Sequence, residues 1–315
     1  MINRRSFISG IKSTTLSKKE INFLNRFKPW GIILFSRNIK SLGQLEKLTS
    51  KIRKIFKDDK YPILLDQEGG RVNRLSKFFN AKNLTGKYFG NLFLKDKVKF
   101  KNDYGIFIKK TSEILKQVGV NINTVPILDI FYSRSSDIIG DRAFSNNKKI
   151  IDKIGNFCIE RFHKNSIGTV IKHIPGHGLA KVDSHKFTPK VKQKINYLKK
   201  NDFSTFRDKK SFFAMTAHII YSDIDNINTA THSKKIVRLI RKEINFRNIL
   251  ISDDISMKSL RYSIKENTIK AFSAGCNLVL HCNGNFKEML TVAENSPFLS
   301  KFIIKKTSQF YKVLS

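Results

Sequence analysis

Short apolar runs recur along the chain, separated by longer stretches with helical periodicity. The runs are SFISGI, WGIILFS, YPILLDQ, VNINTVPILDI, GTVIKHI, FFAMTAHII, NILISDDI and CNLVLHC. Their apolar character is continuous rather than alternating, which suits strands buried on both faces of a parallel sheet. Between them, segments such as LGQLEKLTSKIRKIF and YGIFIKKTSEILKQV place apolar residues near i, i+3, i+4 and i+7, the spacing of an amphipathic helix. Eight such strands, each followed by a helical stretch, over 315 residues point to an α/β fold of the (β/α)8 TIM-barrel type rather than an open sheet. No low-complexity linker or shift in composition divides the chain. It is therefore expected to form a single domain over 1–315, with a final helix at about 296–315.

Composition changes this picture in one respect. An apolar fraction of 40% with 26 phenylalanines is ample for a core, but 60 Lys+Arg against 25 Asp+Glu leave a formal charge of +35. Such an excess invites a nucleic-acid or anionic-membrane partner. The lysines, however, are scattered (Lys18, Lys19, Lys109, Lys110, Lys199, Lys200, Lys209, Lys210), without the clustering or Arg–aromatic interleaving of a reader module. A lysine-rich solvated surface is the simpler account, and no nucleic acid is expected as a partner. The charge would still raise encounter rates with small anionic substrates.

Cys158, Cys276 and Cys282 form no C-x-x-C pair and are odd in number, which fits a reducing compartment. The start, MINRRSFISG, resembles a twin-arginine signal, but the IKSTTLSKKEINFL that follows is too polar for an apolar signal core. No stretch reaches the roughly 18 apolar residues of a membrane span. The expectation is a cytoplasmic protein with no membrane partner.

Candidate chemistry collects where barrel strands end, the positions that face an active site in this architecture. Strand three runs into DQEGGRVNR (Asp66 to Arg74), and strand four into PILDI and the loop IIGDRAFS, with Asp129 and Arg142. Strand five runs into KHIPGHGLAKVDSH, strand six ends at Thr216, Ala217 and His218, and strand seven at Ser252, Asp253 and Asp254. Singly, each has a structural reading: Glu68 as a turn cap, Asp129 as a loop anchor, His218 as a satisfied core histidine. Five coincident strand ends argue against a wholly structural account.

The stretch from Lys172 to His185 allows three chemistries. His173 and His177 are four apart, which on a helix would suit a metal, yet Pro175, Gly176 and Gly178 will not hold a helix, and no H-E-x-x-H or cysteine pair accompanies them. No metal is expected. The phosphate-cradle patterns G-x-x-x-x-G-K-[ST] and G-x-G-x-x-G are absent. An acid/base loop fits better. Asp183 and His185 stand two apart in DSH, so both could face one side of an extended loop, the carboxylate fixing the imidazole tautomer. Asp253, at a strand end, is the candidate nucleophile for such a pair.

Taken together, KHIPGHG-x4-DSH, DQEGGRV and SDDISM resemble the bacterial β-N-acetylhexosaminidases of glycoside hydrolase family 3, in particular the short single-domain type that recycles peptidoglycan. The similarity runs from about Ser6 to about Asn283. The resemblance implies a (β/α)8 barrel and retaining, two-step hydrolysis of a terminal β-linked N-acetylglucosamine. Its expected substrate is GlcNAc linked to 1,6-anhydro-N-acetylmuramic acid, with or without peptide. It implies Asp253 as nucleophile, His185 as acid/base, Asp183 assisting His185, and substrate binding by Asp66, Arg74, Arg142, Lys172 and His173. No cofactor and a monomeric state are expected.

Glu68 and Asp254 are given supporting roles, while His177 and His218 are candidates for the pocket floor. Two departures from the family pattern stand out: Asn245 and Asn248 where glycines are expected, and GDRAF in place of a glutamate–arginine pair. Two alternatives remain: transfer of the sugar to phosphate rather than water, and a non-catalytic basic barrel that binds nucleic acid or wall fragments.

Overall fold

The computed structural model describes residues 3–133, 137–184 and 187–314. Eight parallel strands close into a barrel in chain order. They are β1 (Arg5–Gly10), β2 (Pro29–Leu34), β3 (Ile63–Leu65), β4 (Ile122–Asn123), β5 (Gly168–Ile174), β6 (Phe213–Thr216), β7 (Ile249–Asp254) and β8 (Leu278–His281). Each lies in one of the apolar runs, and β2 and β5 are buried at every position, as strands covered on both faces must be. Closure comes from β1 pairing with β8, with Phe7 opposite Val279 and Ser9 opposite His281.

The helices lie outside: α1 (Lys18–Phe27), α2 (Leu42–Phe56), α3 (Gly86–Lys95), α4 (Lys97–Gln117), α5 (Lys148–Lys164), α6 (Ile195–Lys200), α7 (Lys234–Lys242), α8 (Ile264–Ala274), α9 (Phe286–Glu294) and α10 (Lys301–Tyr311). Local chemistry sets their limits. A reciprocal capping box joins Ser17 and Glu20 at the start of α1, and another joins Ser263 and Glu266 at α8, which stops at the left-handed Gly275 (φ 113°). Of the two asparagines in place of glycines, Asn245 takes a left-handed turn (φ 63°). Asn248 keeps ordinary backbone, and its amide donates to Ser211 O at 2.9 Å.

Inside the barrel, Ile8, Trp30, Leu64, Ile122, Val170, Phe213 and Ile249 form a core of their own. The last helix closes this core from below. Phe310 packs edge-on to Phe213 (5.2 Å between centroids), which in turn meets Trp30 (5.4 Å). Trp30 Nε1 donates to Thr307 Oγ1 at 2.9 Å, so the one polar atom of that ring is satisfied within the plug. Before α10, Ser6 N donates to Pro297 O and Leu299 N to Arg4 O, so residues 297–299 pair with the entry to β1. The two arginines of the start belong to the fold. Arg4 is buried and ion-paired to Asp58 at 2.7 Å, and Arg5 opens β1. Among the described residues no helix is long and apolar enough to cross a membrane.

Candidate active site

A cavity with about 870 Å³ of empty space, part of it open to solvent, lies at the C-terminal end of the barrel. Residues at or just beyond every strand except β1 line it: Phe35 after β2, Asp66 after β3, Thr124 after β4, Lys172 and His173 on β5, Met215 on β6, Asp253 and Asp254 on β7, and Leu280 on β8. A regular strand turns successive side chains to opposite faces. Here two neighbouring pairs both reach the cavity, and in each case the ladder slips at that point, between Lys172 and Ile174 and between Ile251 and Asp254. Such irregularities re-aim side chains at barrel rims.

One wall is an ionic cluster. Lys172 Nζ lies between Asp66 Oδ1 and Glu68 Oε1, the latter at 2.7 Å, with Thr124 Oγ1 at 3.1 Å. Arg74 donates to Asp66 Oδ2 at 2.9 Å, and Arg142 clasps Glu68 through Nε and Nη2, both at 2.8 Å. Three cations thus face two carboxylates. Burial alone would push Asp66 up, but Lys172 and Arg74, with hydrogen bonds from Lys172 and Thr124, hold it well below the usual carboxylate range. Glu68 is likewise depressed despite its burial, by Arg142 and Lys172. Both are acceptors only, suited to hydroxyl donors, while the cations offer fixed donors. Arg74 also lies over the Phe35 ring (5.5 Å), and its buried Nε has no partner among the described residues.

Arg142 comes from a short 3-10 turn, Gly140–Arg142, which Arg71 steadies by donating to the carbonyls of Ile138 (2.8 Å) and Ile139 (3.1 Å). Asp141 pairs with Arg71 at 3.2 Å rather than with a group in the cavity.

His173 is oriented from behind. Asp129, 1% exposed, accepts from His173 Nδ1 at 2.8 Å and from the backbone N–H groups of His173 and His177, the last at 2.6 Å. Asp129 stays ionised below its usual range because these donors outweigh its burial. The ring nitrogen facing it must carry a proton, which leaves Nε2 as the other polar atom of the ring. His177 lines the cavity as well, with Nε2 3.1 Å from Ser184 Oγ. Burial, reinforced by His173, pulls its pKa down to about 4, so it is neutral near pH 7.

At the opposite wall, Asp253 Oδ1 accepts from Asp254 N at 2.7 Å. The Asp254 carboxylate is occupied by Ser256 N (3.1 Å), Ser256 Oγ (2.8 Å) and Cys282 N (3.2 Å), which makes it a loop fastener. Of the DSH triplet, Asp183 is partly buried, its carbonyl accepts from Phe187 N at 2.8 Å, and Ser184 lines the cavity. His185 lies outside the described residues. His218 does not line the cavity; it sits behind Asp254. Among the described residues no group of three or more His, Cys, Asp or Glu is placed to hold a metal ion.

The structure thus brings Asp66, Arg74, Arg142, Lys172, His173 and Asp253 to one cavity. The sequence reading gave Asp129 no more than a loop anchor and passed over Thr124. A carboxylate inside the apolar run PILDI was the available signal, since a buried aspartate has to be paired.

A closed (β/α)8 barrel with this polar cavity at its C-terminal rim is an enzyme's architecture. Residues 10–306 match the Glycosyl hydrolase family 3 N terminal domain. The chain is 31% identical over 279 residues to a β-hexosaminidase of Idiomarina loihiensis, covering 87% of this chain and 82% of the relative. It is 29% identical over 305 residues to one of Haemophilus influenzae, covering 93% and 85%. The structure of NagZ from Neisseria gonorrhoeae in complex with N-trifluoroacetyl-D-glucosamine superposes with a TM-score of 0.87 at 25% identity, over 100% of this chain and 90% of that one. The chain belongs to glycoside hydrolase family 3 and is a glycoside hydrolase.

Proposed function

We propose that the protein is a retaining exo-β-N-acetylglucosaminidase that removes terminal β-linked GlcNAc from peptidoglycan fragments. Its substrate is GlcNAc-1,6-anhydro-N-acetylmuramic acid, with or without peptide. The observation that carries this reading is the meeting, in one cavity, of the Asp253 carboxylate with the Asp66–Lys172–Arg74 cluster. The β-hexosaminidase relatives and the neighbour bound to an N-acylated glucosamine support the choice of sugar.

In this reading the ionised Asp66 accepts hydroxyl protons of the non-reducing sugar, and Lys172, Arg74, Arg142 and His173 hold the ring. Asp253 attacks the anomeric carbon as His185 protonates the departing glycosidic oxygen, giving a covalent glycosyl-enzyme. Asp183 stabilises the cationic form of His185. In the second step His185 takes a proton from water, which displaces Asp253 and restores the original anomeric configuration. Most retaining glycosidases divide these roles between two carboxylates; here a histidine replaces one. The reading places the enzyme in the cytoplasm, as a monomer acting on small fragments.

The test is release of p-nitrophenol from its β-N-acetylglucosaminide by wild type and Asp253→Ala, with product anomer followed by NMR. Turnover with retained configuration that falls by at least about 10³-fold in the variant is expected. Equal rates in both proteins would overturn the assignment. Inorganic phosphate is varied in the same assay, and sugar-1-phosphate as product would make the enzyme a phosphorylase. Defined muropeptides then test the aglycone.

A further inference from the structure

A file of side chains runs behind the strand that carries Asp253. Thr216 Oγ1 lies 2.8 Å from Thr231 Oγ1, Thr231 Oγ1 lies 2.7 Å from His218 Nδ1, and His218 Nε2 lies 3.0 Å from the carbonyl oxygen of Asp254. All three side chains are fully buried and none lines the cavity. The last acceptor fixes the direction of the file. A carbonyl oxygen only accepts, so Nε2 carries the ring proton and donates it. Burial holds His218 below its usual pKa, so the ring is neutral, and its Nδ1 lone pair accepts from the Thr231 hydroxyl. Thr231 in turn accepts from Thr216.

At the far end of the file sits the backbone of Asp254, whose N–H donates to Asp253 Oδ1 at 2.7 Å. The β7–β8 ladder slips between Ile251 and Asp254, so regular strand pairing does not hold this stretch. We propose that His218 is a positioning residue for Asp253: it pins the 254–255 peptide from β6, and so keeps the Asp254 N–H aimed at the attacking carboxylate. The inference rests on Asp253 being the nucleophile. Misplacement of a reacting group by about 1 Å costs on the order of 100-fold in rate. A lost tether here therefore reads out in kcat, while the sugar-binding wall and KM stay as they are.

The experiment compares His218→Gln and His218→Leu with wild type on the p-nitrophenyl substrate, with thermal melts to establish folding. Glutamine carries an N–H donor at a reach similar to Nε2; leucine keeps the bulk and loses the donor. The expected result is a kcat within about 5-fold of wild type for His218→Gln, and a fall of roughly 10- to 100-fold for His218→Leu, with KM within about twofold in both. A folded leucine variant with wild-type kcat, or equal impairment of the two variants, would overturn the proposal.

Should the leucine variant fail to fold, Thr231→Val removes the donor to Nδ1 at constant shape. A kcat fall of about 3- to 10-fold is expected from it, and an unchanged kcat counts against the file. Asp253→Ala runs alongside. If it stays active, the nucleophile assignment fails and takes this inference with it. If it is dead while His218→Leu is fully active, only the positioning role fails.

Discussion

Lys172 is a buried cation shared by two carboxylates, and that sharing decides the state of both. Asp66 titrates below its unfolded value, so the stability it contributes is present above about pH 4 and is lost as pH falls from there. Glu68 is held the same way, and its removal would strand Arg142 and Lys172 in a buried wall. Glu68→Gln is expected to cost about 3 kcal/mol in urea denaturation and to lower kcat/KM more than about 10-fold. An unmoved midpoint would show that the arginine finds another partner.

Asp202 has the opposite sign. It is buried beneath Gly176, bonded to Tyr132 through one oxygen at 3.0 Å, and burial raises it to about 7 despite that bond. A raised carboxyl contributes stability below the unfolded pKa of about 4 that is lost as pH rises toward 7. Asp202→Asn should therefore stabilise the protein more at pH 8 than at pH 5, measured by melting temperature. An equal change at both pH values would mean that Asp202 is ionised in the native protein.

The elements were legible in the sequence where burial is simple. The eight apolar runs announced strands covered on both faces, and the i, i+3, i+4 pattern announced α2 and the greater part of α4. The same runs could not tell where the ladders slip. VPILDI reads as a strand, yet β4 ends at Asn123, because Pro126 offers no N–H to a ladder and pairing resumes only at Leu128, which donates to Lys172 O at 2.9 Å. The slips in β5 and β7 are equally silent, although they bring adjacent residues into one cavity. Motif spacing located Asp66, Lys172 and Asp253, since it reports which strand end each occupies. The roles of Asp129, Thr124 and Thr231 depend on contacts between strands distant in sequence, and no local pattern encodes them.

For the molecule as a whole, site and support lie at opposite ends. The cavity opens at the C-terminal rim, while α10 stops the barrel below through Ile303, Thr307 and Phe310. Phe310 is fully buried, and its ring packs into the space over Gly168, 2.5 Å from where a side-chain carbon would begin. Phe310→Ala is expected to cost about 3–5 kcal/mol by denaturant titration, with kcat nearly unchanged under native conditions. A loss of activity without a loss of stability would tie the plug to the cavity instead.

Closure of β1 on β8 also sets an order of events during synthesis. Phe7 waits for Val279, and Arg5 waits for the carbonyl of Ser296, each nearly a full chain away. Ribosomes add about 5–20 residues per second, so the first strand spends on the order of ten seconds or more with one edge unclaimed. The cavity, which draws on β2 through β8, exists only once that wait is over.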